Sequence, residues 1–214
     1  MAQITDLYYK HEFWATENLR YLKPHYRLAK AARIVNALPG DNRRDLLDVG
    51  CGPAALERLL NPGLSYHGID IAIQQPAENL RQMDFLAEPI SFDGRQFDIV
   101  VAQGVFEYVG RFQVEKFAEI RRILRPGGVF LASYVNFDHL HRRVYEPYSN
   151  VQSFAEFRAA LQQVFRIDRY FPTSYHWYHR EPNRAWLQAL QMRINVTIPL
   201  LSRLFAVEYF FLCS

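Results

Sequence analysis

Residues 46–60 read LLDVGCGPAALERLL. A short apolar run ends in a carboxylate, two glycines and a proline, and an apolar segment follows. Glycines at a strand-to-helix turn let the backbone approach a ligand closely, and a helix N-terminus favours negative charge. Pro53 suits the first helical position, where its missing N–H costs nothing, so the spacing predicts a strand, a bare turn and a helix. Asp48, just before the first glycine, would repel a phosphate. The turn therefore points to a ligand that tolerates both glycine and a nearby carboxylate.

Working outward, short apolar runs recur at LLDV (46–49), YHGIDI (66–71), FDIVVA (97–102) and GVFLASYV (128–135). Each is bounded by Gly, Pro, Asp or Asn, as buried strands are. A weak third strand is expected at Met83-Asp84-Phe85, and further strands at VFRIDRYF (164–171) and AVEYFFLCS (206–214). Helical patterns alternate with them. Residues 113–124 place Val114, Phe117, Ile120, Ile123 and Leu124 on one face, and 152–164 form another amphipathic stretch. Alternation of this kind predicts an α/β fold: a doubly wound, Rossmann-like sheet of seven strands, mostly parallel with an antiparallel last strand. Residues 5–38 read as two helices broken at Lys23-Pro24. Residues 182–204 read as a helical cap inserted before the last strand, with Pro199 inside it.

Composition narrows the function. The 214 residues carry a net charge of only +3, which gives no argument for nucleic acid. Residues 1–119 hold 13 basic and 16 acidic side chains, whereas 120–214 hold 12 basic, all Arg, and 6 acidic. The basic C-terminal part fits an anionic substrate or a headgroup layer, and its plainer reading is solvated helix faces. Two cysteines, Cys51 and Cys213, make neither a disulfide framework nor a metal cluster. The opening MAQITDLYYKHEFW has no apolar stretch of the signal-peptide kind. The apolar tail from Ile194 is interrupted by Arg203 and Glu208, so no transmembrane segment is expected and a cytoplasmic protein is.

In an open α/β sheet the ligand sits outside the carboxyl ends of the strands, at the switch in strand order. That rule gathers Asp48, Asp70 and Asp84 around one crevice. Three carboxylates disfavour a pyrophosphate and favour a cationic ligand carrying hydroxyls and an amine. S-adenosylmethionine has those features: Asp70 can accept from both ribose hydroxyls, Asp84 from the adenine amine, and Phe85 can donate its backbone N–H to a ring nitrogen.

Five segments in order, LLDVGCG, YHGIDI, MDF, FDIVVAQGVFEYV and LRPGGVFLASY, resemble the class I S-adenosylmethionine-dependent methyltransferases. The resemblance covers roughly residues 43–175. It implies cofactor contacts from Asp48, Gly50, Cys51, Gly52, Asp70, Ile71, Asp84, Phe85, Gln103 and Gly104, with Phe106 nearby, and S-adenosylhomocysteine as product. It implies one domain, with 1–40 a lid, 43–175 the core and 182–204 the cap. Where the family often has a third glycine this chain has Ala54. Residues 50–55, GCGPAA, also satisfy a dinucleotide fingerprint, so an NAD(P)-dependent oxidoreductase stands as a rival. A non-catalytic S-adenosylmethionine-binding regulatory or scaffold protein is a second rival. A nucleic-acid methyltransferase lacks its D/N-P-P-Y/F segment, because AQGVFEY stands there.

Methyl transfer is an in-line displacement in which the protein orients the acceptor and, for a hydroxyl, supplies a base. The stretch YVNFDHLHRRVYEPY (134–148) resembles the family's N-x-x-H-x-x-x-R pattern at Asn136, His139 and Arg143. His139 is the first candidate base and His176 the second. Tyr9, Trp14, Tyr134, Tyr145 and Trp177 are expected to line the acceptor site, and no metal is expected. Glu107-Tyr108 stands where relatives commonly carry Glu-His. The acceptor is expected to be a small molecule, anionic or partly hydrophobic, methylated at oxygen rather than nitrogen, in secondary-metabolite or glycan biosynthesis. Arg184, Arg193 and Arg203 of the cap would suit an anionic or lipid-linked one. A homodimer is left open.

Overall fold

The computed structural model describes residues 26–40, 44–71, 73, 76–137, 152–175 and 197–214. Seven strands form one sheet: β1 (Arg44–Val49), β2 (Leu64–Asp70), β3 (Leu80–Gln82), β4 (Phe97–Ala102), β5 (Leu124–Val135), β6 (Ile167–Tyr175) and β7 (Ala206–Cys213). Their spatial order is β3-β2-β1-β4-β5-β7-β6. β1 pairs in parallel with both β2 and β4, so the order reverses there. Only β7 runs against its neighbours, β5 on one side and β6 on the other. This is the doubly wound sheet that the alternation of runs predicts.

Period-two patterning feeds a core on each face. Leu47, Val49, Val100, Ala102, Phe130 and Ala132 point to one side, whereas Leu46, Ile99, Val101, Leu131 and Phe210 point to the other. Helices α2 (Gln113–Ile123) and α3 (Phe154–Gln162) cover the first face through Phe117, Ile120, Phe157 and Leu161. Helix α1 (Tyr26–Asn36) covers the second through Ala31, Ala32 and Val35. The first face is dense with aromatics: Phe106 stacks on Phe117 at 4.5 Å and Tyr134 on Phe157 at 3.9 Å. A Ser153–Glu156 capping box starts α3.

Four local expectations are corrected. No α-helix follows the glycine turn; the chain makes successive turns and a single 3₁₀ turn at Glu57–Leu59. β3 lies at 80–82, so Asp84 and Phe85 follow the strand and are not part of it. β6 runs from Ile167 to Tyr175 and so passes through Pro172, beyond the expected 164–171. It is the outermost strand, where a missing N–H need not break a ladder, and its register is irregular just beyond. Pro199 opens helix α4 (Pro199–Phe205) at its first turn and does not kink a longer one. The remainder of the expected lid and cap, residues 1–25 and 182–196, lies outside the described residues. Among the described residues no helix is long and apolar enough to cross a membrane.

The turn after β1 is locked by contact as well as by conformation. Gly50 has φ +72°, and a Cβ there would stand 2.4 Å from Val105 Cγ2, on the segment leaving β4. Gly50→Ala therefore carries both a left-handed penalty and a clash, and should cost about 2–4 kcal/mol in urea unfolding. Adding Val105→Ala removes the clash. The double variant should then recover part of the loss measured for Gly50→Ala, relative to Val105→Ala alone. A strictly additive pair would mean that the two segments do not meet.

Candidate functional site

The turn is stitched to the end of β2 through its own donors. Gly50 and Cys51 N–H both donate to Ile69 O, at 2.8 and 3.2 Å, and Gly52 N–H donates to Asp70 Oδ2 at 2.8 Å. Pro53 has no N–H, and Ala54 N–H donates to Cys51 O at 3.0 Å. Every backbone donor from 50 to 54 is thus already engaged. With only a 3₁₀ turn beyond, the segment offers neither the outward N–H groups nor the helix dipole on which phosphate binding depends. The dinucleotide fingerprint is present in letters but not in geometry. Ala54 explains the family's usual third glycine: its φ is +53°, a left-handed conformation that costs a residue with a Cβ about 1 kcal/mol.

Beneath the turn lies a buried acid. Asp48 is 3% exposed, and its Oδ2 accepts from Tyr66 Oη at 2.9 Å. Burial pushes its carboxyl up to about 7 against the Tyr66 bond, with the neighbouring Asp70 charge adding to the rise. Burial first, then Asp48 and Asp70, pushes the Cys51 thiol well up, which leaves it a poor nucleophile. Asp70 is buried at the end of β2, opposite Gln82 of β3. Asp84 follows β3 half-buried, its Oδ1 accepting from Leu86 N–H at 3.0 Å, and Phe85 packs against the core. Ile71 is half-buried, its carbonyl accepting from Gln82 Nε2 at 3.1 Å. The topology therefore gathers Asp48, Gly50, Cys51, Gly52, Asp70, Ile71, Asp84 and Phe85 at the carboxyl ends of three adjacent strands.

On the other side of the switch, Gln103 is 8% exposed, and neither of its side-chain amide atoms has a hydrogen-bond partner. Gly104 N–H donates to Ser133 Oγ at 2.9 Å. A Cβ at Gly104 would approach Arg27 Nη1 to 2.9 Å, so α1 packs directly on this segment. Phe106 and Tyr134, expected at the ligand sites, stand buried in the aromatic core, and Tyr134 Oη donates to Gln152 O at 2.8 Å. Asn136, read as part of a histidine motif, is buried and ties its Nδ2 to Ala206 O at 2.9 Å. His139, His176, Tyr9, Trp14, Tyr145 and Trp177 lie outside the described residues.

Sequence reasoning missed two buried acids at this end. Glu107 Oε1 accepts from Val135 N–H at 2.9 Å, and Glu208 Oε1 pairs with Arg27 Nη1 at 3.1 Å. The signal was available for Glu208, a lone acid inside the apolar strand AVEYFFLC. Tyr66 was also missed, its hydroxyl being one of the alternate inward positions of β2. Among the described residues no three His, Cys, Asp or Glu side chains are grouped to hold a metal ion.

Comparisons with known proteins bear on the family and the fold. A family model described as a methyltransferase domain matches residues 24–191. A phthiotriol/phenolphthiotriol dimycocerosates methyltransferase of Mycobacterium ulcerans is 36% identical over 101 residues, 40% of this chain and 35% of that protein. A malonyl-[acyl-carrier protein] O-methyltransferase of Enterobacter lignolyticus is 29% identical over 132 residues, 55% of this chain and 51% of that protein. The matches thus span only about a third to a half of these relatives' length. Among solved structures, a TehB-like S-adenosylmethionine-dependent methyltransferase from Corynebacterium glutamicum superposes with a TM-score of 0.57 over 86% of each chain, at 15% identity. That likeness shows the fold.

Asp48 is, with Glu107, one of the buried carboxyls that shape the pH dependence of the ligand-free protein. Its carboxyl, ordinarily near 3.8, is raised in the folded state, so the unfolded chain releases the proton first. Its contribution therefore subtracts stability as pH rises from about 4 to about 7 and is constant above that. Asp48→Asn should flatten this part of the stability profile, measured by thermal unfolding across pH 4–8. An unchanged slope would show that Asp48 ionises as freely folded as unfolded.

Proposed function

The chain belongs to the methyltransferase-domain family, and from that premise we propose that it transfers the methyl group of S-adenosylmethionine to a hydroxyl of a small-molecule or lipid-like acceptor. When bound, S-adenosylmethionine supplies an electrophilic methyl on a cationic sulfur. The observation that carries the reading is the turn at 50–54. Its donors face inward while Asp48, Asp70 and Asp84 stand around it, a surrounding suited to a cation and unsuited to a pyrophosphate.

In this reading Asp70 accepts from the ribose hydroxyls. Asp84 and the Phe85 N–H receive the adenine edge, and Gly50–Gly52 leave room for the amino-acid end. Gln103 and Gly104 complete the cradle from β4, and a ligand there would satisfy the orphaned Gln103 amide. A cation beside Asp48 favours its ionised form, so cofactor affinity rises with pH toward 7 and levels off above. The named relatives are methyltransferases of phthiotriol/phenolphthiotriol dimycocerosates and of malonyl-[acyl-carrier protein], and the second is an O-methyltransferase. An oxygen acceptor with apolar or anionic character fits both, as do the Arg residues of the 182–204 segment. The sequence offers His139 and His176 as candidate bases, the alternatives against which any other base is tested. We place the protein in the cytoplasm as one methyltransferase unit.

The test is methyl transfer from radiolabelled S-adenosylmethionine to a panel of phenols, hydroxy acids, long-chain acids, sugars and amines. Label should appear in an oxygen-bearing member of the panel, and Asp70→Ala should lower transfer at least about tenfold by weakening cofactor binding. Label appearing only in amines would overturn the oxygen preference. No transfer to any acceptor, with cofactor binding intact, would support a binding protein.

A further inference from the structure

Two acidic side chains away from the cofactor turn, Glu107 after β4 and Glu208 on β7, are 5% and 6% exposed. They are held differently. Glu208 has both oxygens engaged: Oε1 with Arg27 Nη1 at 3.1 Å, and Oε2 with Thr173 Oγ1 at 3.4 Å. Glu107 has one oxygen engaged. Its Oε1 accepts from Val135 N–H at 2.9 Å, while its buried Oε2 has no hydrogen-bond partner. Val135 and Glu208 stand opposite each other in the β5–β7 ladder, so one row across the sheet brings the two acids together.

A buried polar atom without a partner costs about 1–3 kcal/mol, and more when charged. This segment bears that cost three times, at Glu107 Oε2 and at both amide atoms of Gln103, within five residues of one strand end. The Val135 N–H accounts for Glu107 Oε1 but not for Oε2 or the Gln103 amide, so these orphaned atoms point to a ligand that arrives at the carboxyl ends of β4 and β5.

We propose that Glu107 is the proton acceptor for the hydroxyl that receives the methyl group. The proposal rests on the methyl-transfer reading above. As the acceptor oxygen bonds to the methyl carbon, the carbon–sulfur bond breaks and its electron pair returns to sulfur. The hydroxyl proton passes to Glu107 Oε2, leaving a methylated oxygen, a neutral thioether and a protonated Glu107 that later gives its proton to water.

The surroundings divide the roles of the two acids. Glu208 has both of its oxygens taken up, by Arg27 and Thr173. The charged or titratable groups facing Glu107 are Glu208 on β7, Arg27 on α1 and Tyr134 on β5. Burial first and Glu208 second push the Glu107 carboxyl up to about 7, against the pull of Arg27. A carboxylate at its ordinary value near 4.5 is a weak base, whereas one near neutrality is matched to proton transfer at physiological pH. One acid with a free buried oxygen beside another whose oxygens are both engaged divides the pair into a base and its neighbour.

Glu107→Gln is the informative change, because its carbonyl still accepts from Val135 N–H and only the basic oxygen is lost. For acceptors of the panel that the wild type methylates, E107Q should lower kcat about 100-fold or more, with S-adenosylhomocysteine affinity unchanged and the acidic limb of the pH profile gone. His139→Gln and His176→Gln should leave that limb in place. An arm that needs no acceptor records infrared carboxyl-stretch spectra of the S-adenosylhomocysteine complex from pH 5 to 9. The wild type should show a carboxyl titrating near neutrality that E107Q lacks and that Glu208→Gln moves to lower pH. E107Q turnover within threefold of wild type, or no such titrating carboxyl, would overturn the role of Glu107 and leave the methyl-transfer reading standing. Failure to bind S-adenosylmethionine or S-adenosylhomocysteine would instead overturn that reading, and spectra of the ligand-free protein would still report on Glu107.

Discussion

The site depends on one constraint: the glycine turn after β1 directs its N–H groups inward, onto Ile69 O and Asp70 Oδ2, with a buried carboxylate beneath it. A βα turn with outward N–H groups gathers phosphate. This one has spent its donors on fastening β1 to β2, and it surrounds the crevice with acceptors. Ligand class follows from that choice, since a cation with hydroxyls gains where a pyrophosphate would meet repulsion without compensation. The left-handed backbone at Gly50, Gly52 and Ala54 is what turns the donors inward. The contact of Gly50 with Val105 then couples the turn to the β4 segment.

From this coupling the crevice acquires two halves on either side of the strand-order reversal. The β1–β2–β3 half carries Asp48, Asp70 and Asp84, and the β4–β5–β7 half carries Gln103, Glu107 and Glu208. Each half contains a carboxyl that burial raises toward neutrality, Asp48 in one and Glu107 in the other. The physical cause is shared and the consequences differ. Asp48 has Tyr66 as a donor, whereas Glu107 keeps one oxygen without a hydrogen-bond partner.

Most of the sheet was legible because each buried strand announces itself as an apolar run bounded by turn residues, and β4 falls on FDIVVA residue for residue. What was not legible depended on tertiary context. β6 extends past the expected 171 through Pro172, which is accommodated because β6 is an edge strand. The LERL segment reads as a helix, yet only one 3₁₀ turn forms after the left-handed residues. The gathering of Asp48, Asp70 and Asp84 at one end of the sheet was readable from motif spacing, since they stand at the ends of β1 and β2 and just after β3. The placing of the buried acids on the other half was not. Glu107 and Glu208 are 101 positions apart, and only the antiparallel return of β7 beside β5 places them in one row.

The central claim, that this turn holds a cationic nucleoside and not a pyrophosphate, is tested most directly by calorimetric titration with S-adenosylmethionine, S-adenosylhomocysteine, NAD⁺ and free pyrophosphate in parallel. The account predicts binding of the first two, with neither NAD⁺ nor pyrophosphate producing heat. Binding of NAD⁺ or pyrophosphate without the sulfonium ligand would contradict it, because the turn would then have to open its inward N–H bonds to meet a phosphate.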